Sequence, residues 1–204
     1  WVALHARTAQ QMYEGKADWS AIKNLVEHLK PTGVPVLGNG DIWSGADGVE
    51  MVRQTGCAGV VVGRGCLGRP WLFADLVDAF NGGNNRVLPS LHEVREVMFR
   101  HGELIVDYFE SEDRGCRDLR KHMAWYLKGF RVHSELRRQF GMVGSLTELR
   151  SLLDQLDDQP YPVEIGEKPR GRTSSGRPPT LPDGWLNDPD EMIHLDVEDM
   201  FSGG

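Results

Sequence analysis

The sequence is poor in cysteine and contains no long apolar run. Its three cysteines, Cys57, Cys66 and Cys116, are far apart, and none forms the C-x-x-C spacing of zinc or redox sites. We therefore expect a reducing, cytoplasmic environment and no metal site. We also expect a monomeric chain. No apolar stretch approaches the roughly 20 residues that span a bilayer, so we expect no membrane partner. The chain begins at Trp1 inside an apolar run and without a secretory leader, which favours a fragment or a domain of a longer protein.

Most of the chain also lacks an excess of either charge. The formal net charge is −7, but residues 157–204 hold 11 acidic and four basic residues, so the first 156 residues are neutral overall. Within them, residues 114–138 carry eight Lys and Arg against only Asp118 and Glu135. An acidic tail thus masks a locally basic segment, which is the more useful indication of a partner.

What the sequence does contain is a threefold strand-then-helix pattern. Continuously apolar segments at 2–5, 34–37 and 58–63 are each followed by a glycine-containing or polar loop and a helical pattern. Continuous apolar strands are typical of parallel strands that helices cover. The predicted caps are Asp18 or Ser20 for the first helix and Ser44 for the second, with Gly56 as a stop signal and Pro70 as the first residue of the third helix. The pattern predicts a parallel α/β architecture.

A different pattern follows the Gly/Asn-rich segment 81–85. Four helical stretches with short joins predict a small bundle over residues 90–156, after a linker at 83–89. The first unit would then end at residue 82. Residues 157–204 are rich in Pro, Gly, Ser and acidic residues, which predicts a disordered tail.

Two consecutive strand-to-helix loops carry glycines, in LGNGDI (37–42) and VGRGCLG (62–68). Glycine lets backbone N–H groups approach a ligand, and Arg64 adds a full positive charge. In (β/α)8 barrels the loops after strands 7 and 8 commonly bind phosphate. The alternative is that both loops are merely tight turns.

His5 and Arg7 follow the first strand, at the same predicted edge as the glycine loops. They could contact a ring, a carbonyl or an anion, or form a structural pair at the rim. Cys66 lies in the second glycine loop, but a small buried cysteine is the more common reading, because no neighbouring His or Lys would activate it.

One predicted helix mixes basic and aromatic side chains, as RNA-binding surfaces do. They are Arg117, Arg120, Lys121, His122, Trp125, Tyr126 and Lys128. The alternative places Trp125 and Tyr126 in the bundle core and the charges on a solvated face.

Four sequence segments, in their order and spacing, resemble the bacterial tRNA-dihydrouridine synthase family over residues 2–156. They are HARTAQQMYEGKADW, PVLGNGDI, GVVVGRGCLGRPWLF and RKHMAWYLKGF. The resemblance implies the last three β/α units of a TIM (β/α)8 barrel, followed by an all-α helical domain that docks tRNA. It also implies FMN-dependent, NADPH-driven reduction of the C5=C6 bond of specific tRNA uridines.

The resemblance assigns residues one motif at a time. Asn39, Gly40 and Asp41 match one FMN phosphate segment, and Gly63 and Arg64 match the other. His5 matches a histidine that approaches the flavin or uracil, with Arg7 as its companion on the substrate side. The positions expected near RNA are Arg120, Lys121 and His122.

The family's catalytic cysteine and flavin-contacting lysine belong to earlier strands, upstream of Trp1, and neither Cys57 nor Cys66 lies in the matching motif. Ala6 and Cys66 replace the usual Gly and Ala. We therefore expect the parent enzyme, and not this chain alone, to be active. The alternatives are another FMN barrel, such as a dihydroorotate dehydrogenase-like enzyme, or a non-catalytic tRNA-binding fragment.

Overall fold

The computed structural model describes residues 1–171. The predicted disorder of residues 172–204 lies outside that part of the chain. Within residues 1–171, no helix combines the length and the apolar character that a membrane crossing requires.

Three parallel strands form one sheet in chain order, and a helix follows each strand. The strands are β1 (Val2–His5), β2 (Val36–Asn39) and β3 (Gly59–Val61). The helices that follow them are α1 (Trp19–Leu29), α2 (Gly45–Thr55) and α3 (Leu72–Phe80). The predicted parallel α/β architecture is thus confirmed, and the carboxyl ends of all three strands meet at one edge of the sheet.

Local capping residues set the ends of these helices. The Asp18 carboxylate accepts a hydrogen bond from the Ser20 N–H at 3.0 Å, and the Ser44 hydroxyl accepts one from the Asp47 N–H at 3.2 Å. The third helix begins at Leu72, so the prediction that Pro70 is its first residue is wrong. Pro70 instead lies in the preceding turn, where its carbonyl accepts from the Phe73 N–H.

Helices make up the rest of the described chain. They are α4 (Leu91–Phe109), α5 (Glu112–Tyr126), α6 (Ser134–Phe140), α7 (Leu146–Leu153) and the short α8 (Val163–Gly166). Ser90 and Glu93 form a reciprocal capping box that starts α4. The buried side chains of this part pack into one apolar cluster that includes Leu91, Met98, Leu119, Phe140 and Leu153.

The sheet has a second apolar cluster of its own, built around Ile22, Val36, Met51, Leu72 and Leu76. The two clusters correspond to the sheet unit and the helical unit. The turn that follows β3 joins them, because a Cβ atom on Gly68 would lie 2.4 Å from the Trp125 carbonyl carbon of α5. This turn therefore packs directly against the helical unit.

Residues 159–171 pack against both units, so the disorder predicted from residue 157 onward does not hold for them. The Gln159 carbonyl accepts from the Leu91 N–H at 2.8 Å. The Tyr161 ring lies edge-on to Trp71 and Phe130, with centroids 5.9 and 6.0 Å away. The polar, proline-rich composition predicted a segment without a core of its own, but Tyr161 packs against the apolar cluster of the helical unit.

Candidate functional site at the carboxyl ends of the strands

A hydrogen-bonded chain links the ends of the three strands. The Asn39 Nδ2 donates to the Val61 carbonyl at 3.0 Å, so the Asn39 Oδ1 is left as an acceptor. His5 Nδ1 lies 2.5 Å from that oxygen, which assigns the proton of a neutral imidazole to Nδ1. His5 Nε2 then carries a free lone pair on an exposed side chain. Asn39 thus positions His5 and ties β1 and β3 to β2.

Arg7 and Asp41 form an enclosed ion pair behind this edge. Arg7 Nη2 lies 2.8 Å from both Asp41 oxygens, and the Arg7 side chain is only 2% exposed. Arg7 also donates to the carbonyls of Glu14 and Gly15, while Asp41 accepts from the Ala17 N–H at 2.7 Å. The pair therefore anchors the β1–α1 loop, because it joins the loop to the start of the β2–α2 connection.

These contacts change the expected roles of two residues. We predicted Arg7 as a substrate-side residue, but its guanidinium is buried among loop carbonyls and a carboxylate, which leaves it a positioning role. The Asp41 carboxylate likewise serves Arg7 and the loop, so only the Asp41 backbone could face an anion. The structural pair predicted from the sequence joined Arg7 to His5, but in the structure Arg7 pairs with Asp41 and His5 with Asn39.

Arg64 lies at the open side of the same ion pair. Its Nη2 is 3.6 Å from Asp41 Oδ1, and its guanidinium carbon lies 4.5 Å from the Tyr13 ring centroid and 5.3 Å from that of Trp43. Burial lowers the pKa of Arg64, and the nearby Arg7 charge lowers it further, yet a guanidinium stays protonated at neutral pH. Arg7 and Arg64 both face the Asp41 carboxylate, and the Arg64 guanidinium brings a positive charge to the open side of the pair.

A cavity of about 220 Å³ opens beside this charge. The residues that line it include His5, Asn39, Gly40, Gly63 and Arg64. A Cβ atom added at Gly63 would meet no atom within 4 Å, so the backbone there faces open space. The cavity is smaller than the roughly 300–1,000 Å³ of complete small-molecule pockets. These residues therefore suit one anionic end of a larger ligand, such as a phosphate group.

Cys66 has no feature of an activated nucleophile. Its thiol donates to the Gly63 carbonyl at 3.1 Å, and burial raises the pKa of the Cys66 thiol. Burial likewise raises the pKa of Cys116, and Cys57 is a buried residue whose thiol donates to the Gly59 carbonyl. Within residues 1–171, no cluster of three or more His, Cys, Asp or Glu side chains could hold a metal ion.

The basic helix α5 divides into inward and outward side chains. Arg120 Nε donates to the Val143 carbonyl at 2.9 Å, and Lys128 Nζ donates to the carbonyls of Lys168 and Pro169. Lys121 is exposed, and within residues 1–171 its ion pair is with Asp118 on its own helix. Of the three positions predicted near RNA, Arg120 is committed to a structural contact and Lys121 remains accessible.

His122 faces an apolar groove of about 640 Å³ between α4, α5 and the turn after β3. Its ring lies edge-on to His101 at 4.7 Å and to Trp125 at 5.2 Å. Burial, and secondly the proximity of His101, lower the pKa of His122 to about 4. His122 is therefore neutral near pH 7 and would meet RNA as a stacking or hydrogen-bonding group. Tyr126 is buried in the bundle core, as the structural alternative predicted.

Tyr13 and Trp43 were missed as site residues. Both lie in loops that follow strands, beside the motifs that were singled out, and their rings flank Arg64. An aromatic residue in each of two neighbouring strand-to-helix loops is the signal that could have identified them.

Comparison with known proteins gives a consistent result. Residues 1–160 match the sequence model of the dihydrouridine synthase (Dus) family. The chain is 52% identical over its whole length to a protein of Mycobacterium leprae named "Probable tRNA-dihydrouridine synthase", and 51% identical to one of Mycobacterium tuberculosis with the same name. A Synechocystis protein, "Probable tRNA-dihydrouridine synthase 1", is 35% identical over 76% of this chain and 42% of its own length. The chain spans about half (52%) of the length of each mycobacterial relative. It belongs to the dihydrouridine synthase family.

Proposed function

We propose that this chain supplies the residues that bind the cofactor phosphate, and a tRNA-docking surface, in a tRNA-dihydrouridine synthase. The enzyme would use FMN, with NADPH as reductant, to reduce the C5=C6 bond of specific tRNA uridines in the cytoplasm. The observation that carries the proposal is Arg64, held over Tyr13 and Trp43 at the carboxyl ends of parallel strands, where it lines a cavity with backbone glycines.

The sheet unit fits the last part of a closed (β/α)8 barrel. Both edge strands of the three-stranded sheet have an unpaired side within residues 1–171. The outward face of α3 exposes Phe73, Val77 and Phe80 by 50, 63 and 46%. Further β/α units would pair those edges and cover that face.

Each residue of the site would have a separate role in binding FMN. Arg64 would form charge-assisted hydrogen bonds to the FMN phosphate, and the backbone of Gly40 and Gly63 would allow its close approach. The Arg7–Asp41 pair would hold the loop that carries Tyr13, and therefore one face of the Arg64 guanidinium. When bound, the flavin supplies the hydride-transfer chemistry. His5, with its Nε2 lone pair exposed, would accept a hydrogen bond from a ring N–H at the mouth of the site.

None of the three cysteines is suited to deliver a proton to uracil from this chain's own site. Cys57 and Cys116 are buried, and the Cys66 thiol is directed to backbone carbonyls. The acid would therefore come from another part of the enzyme, in agreement with the cysteine motif that the family resemblance places upstream.

The test is reduction of unmodified tRNA by the full-length protein, with FMN and NADPH, and mass-spectrometric measurement of dihydrouridine. We expect dihydrouridine at specific positions, and strongly reduced flavin retention and product with Arg64→Ala. Arg53→Ala is the matched control, since Arg53 is exposed on α2 and, in the described part of the chain, pairs with Glu50 one turn away. Reduction of a small-molecule alkene with tRNA uridines left intact would instead favour a dihydroorotate dehydrogenase-like enzyme.

A further inference from the structure

Residues 159–171, here called the strap, cross from the helical unit to the strand-end site. At one end, Gln159 bonds to the Leu91 N–H and exchanges two hydrogen bonds with the Arg131 backbone. In the middle, Glu167 pairs with Arg86 of the segment between the units. The strap is therefore fixed at several points before it reaches the site.

Arg170 is the centre of the last part of the strap. It is 4% exposed, and its Nη1 donates to the Leu67 carbonyl at 2.7 Å and to the Trp125 carbonyl at 3.3 Å. Its Nη2 donates to the Gly166 carbonyl. One guanidinium thus joins the turn after β3, the end of α5 and the strap itself. The planar fork of arginine suits such a junction, whereas a lysine ammonium would not span it.

The same part of the strap touches Arg64. A Cβ atom added at Gly171 would lie 3.0 Å from Arg64 Cδ and 3.3 Å from Leu67 Cδ1, so the strap backbone lies against both side chains. Pro169 lines a second cavity together with Arg64, Tyr13 and Trp43. Leu67, whose carbonyl Arg170 holds, also donates its N–H to the Arg64 carbonyl at 3.2 Å.

We propose that Arg170 is a positioning residue for the cofactor phosphate, which acts by holding the Arg64–Leu67 turn and the Arg64 side-chain stem in place. The inference rests on the proposed function, because it concerns the FMN phosphate. It adds a role to a segment that the sequence pattern assigned to a disordered tail. Within residues 1–171, Arg170 lines neither of the two cavities at Arg64 and donates to backbone carbonyls, so its effect on an anion must pass through Arg64.

A purely structural role is the alternative, and burial makes it a serious one. Burial lowers the pKa of Arg170 to about 10, and its Nε has no hydrogen-bond partner. Loss of such a residue could weaken the whole interface between the units. The two roles differ in one respect: only positioning of Arg64 discriminates ligands that carry the phosphate from ligands that lack it.

The experiment compares binding of FMN and of riboflavin, which lacks the phosphate, to the full-length protein by flavin fluorescence. Wild-type protein should prefer FMN, and Arg170→Ala should reduce that preference at least about fivefold, since a charge-assisted hydrogen bond contributes a tenfold effect or more. Arg64→Ala should reduce it further, and the double variant should lose no more than Arg64→Ala alone. Arg138→Ala, an exposed arginine of the helical unit, should bind both flavins as wild type does.

Two further measurements keep the inference testable if Arg170→Ala folds poorly. Gly171→Ala, whose Cβ would press on the Arg64 stem from a backbone with φ +84, should lower the FMN preference in the same direction. In the flavin-free protein, amide hydrogen exchange over residues 63–69 should accelerate in Arg170→Ala, with little change in α1 and α2.

Four results would overturn the inference. Equal loss of FMN and riboflavin affinity in Arg170→Ala would leave only a structural role, and unchanged exchange over residues 63–69 would remove the proposed route through the turn. Additive losses of FMN preference in the double variant would show that Arg170 acts independently of Arg64. If wild-type protein itself binds FMN no better than riboflavin, the proposed phosphate-binding site is refuted, and the role of Arg170 toward the cofactor is refuted with it.

Discussion

Substitution of Gly68 by alanine tests how closely the strand-end turn packs on the helical unit. Gly68 has φ +62, and an added Cβ would lie 2.4 Å from the Trp125 carbonyl carbon and 2.5 Å from the Tyr126 nitrogen. A left-handed conformation costs a non-glycine residue about 1–2 kcal/mol. Relief of the overlap with a helix backbone adds about 1–3 kcal/mol. We expect Gly68→Ala to destabilise the protein by about 2–5 kcal/mol.

The chain offers a matched control for this substitution. Gly33 has φ +70, and a Cβ there would meet no atom within 4 Å, so Gly33→Ala carries the conformational cost alone. Its expected loss is about 1–2 kcal/mol. Urea unfolding of both variants in the full-length protein measures the difference in the free energy of unfolding. The dependence of that free energy on urea concentration should be equal in the two variants, which makes the comparison valid. Equal losses in the two variants would refute the close packing of the turn on α5.

Three smaller predictions concern the helical unit. Lys121→Ala should reduce the salt dependence of tRNA filter binding by about one phosphate contact; an unchanged slope would remove Lys121 from the interface. Arg120→Ala should lower stability by about 1–3 kcal/mol in urea unfolding, because the buried Val143 carbonyl loses its donor. The same substitution should leave the salt dependence of tRNA binding unchanged. The pKa of His122 is depressed to about 4 in the folded state, so the unfolded chain takes up the proton first as pH falls from about 6.5 to about 4, and stability declines. After a discount for partial exposure, His122→Gln should remove about 1 kcal/mol of that decline between pH 7 and 5; an equal decline in the variant would contradict the buried neutral ring.

Features set by neighbouring residues were predictable from the sequence. The Ser44 cap, the end of α2 before Gly56 and the start of α4 each depend on contacts within four residues. The three parallel strands were predictable because continuously apolar segments that alternate with helical patterns are typical of parallel sheets. The proximity of the two glycine loops followed from that topology.

Roles set by distant contacts were not predictable in the same way. Arg7 was expected to contact substrate, but its partner Asp41 is 34 residues away. Arg120 was expected to face RNA, and its acceptor is the carbonyl of Val143. Arg170 bonds to a residue 103 positions earlier, from a segment whose composition predicted disorder. An arginine side chain has the same local appearance whether it ends on a phosphate, a carboxylate or a backbone carbonyl, so only the folded chain distinguishes the three.

The most direct test of the central claim is a crystal structure of the full-length protein with FMN. The account predicts phosphate oxygens about 2.7–2.9 Å from the Arg64 guanidinium nitrogens, next to the Gly63 backbone, with the Arg7–Asp41 pair intact behind them. An FMN phosphate bound elsewhere, with no contact to the Arg64 guanidinium, would contradict it.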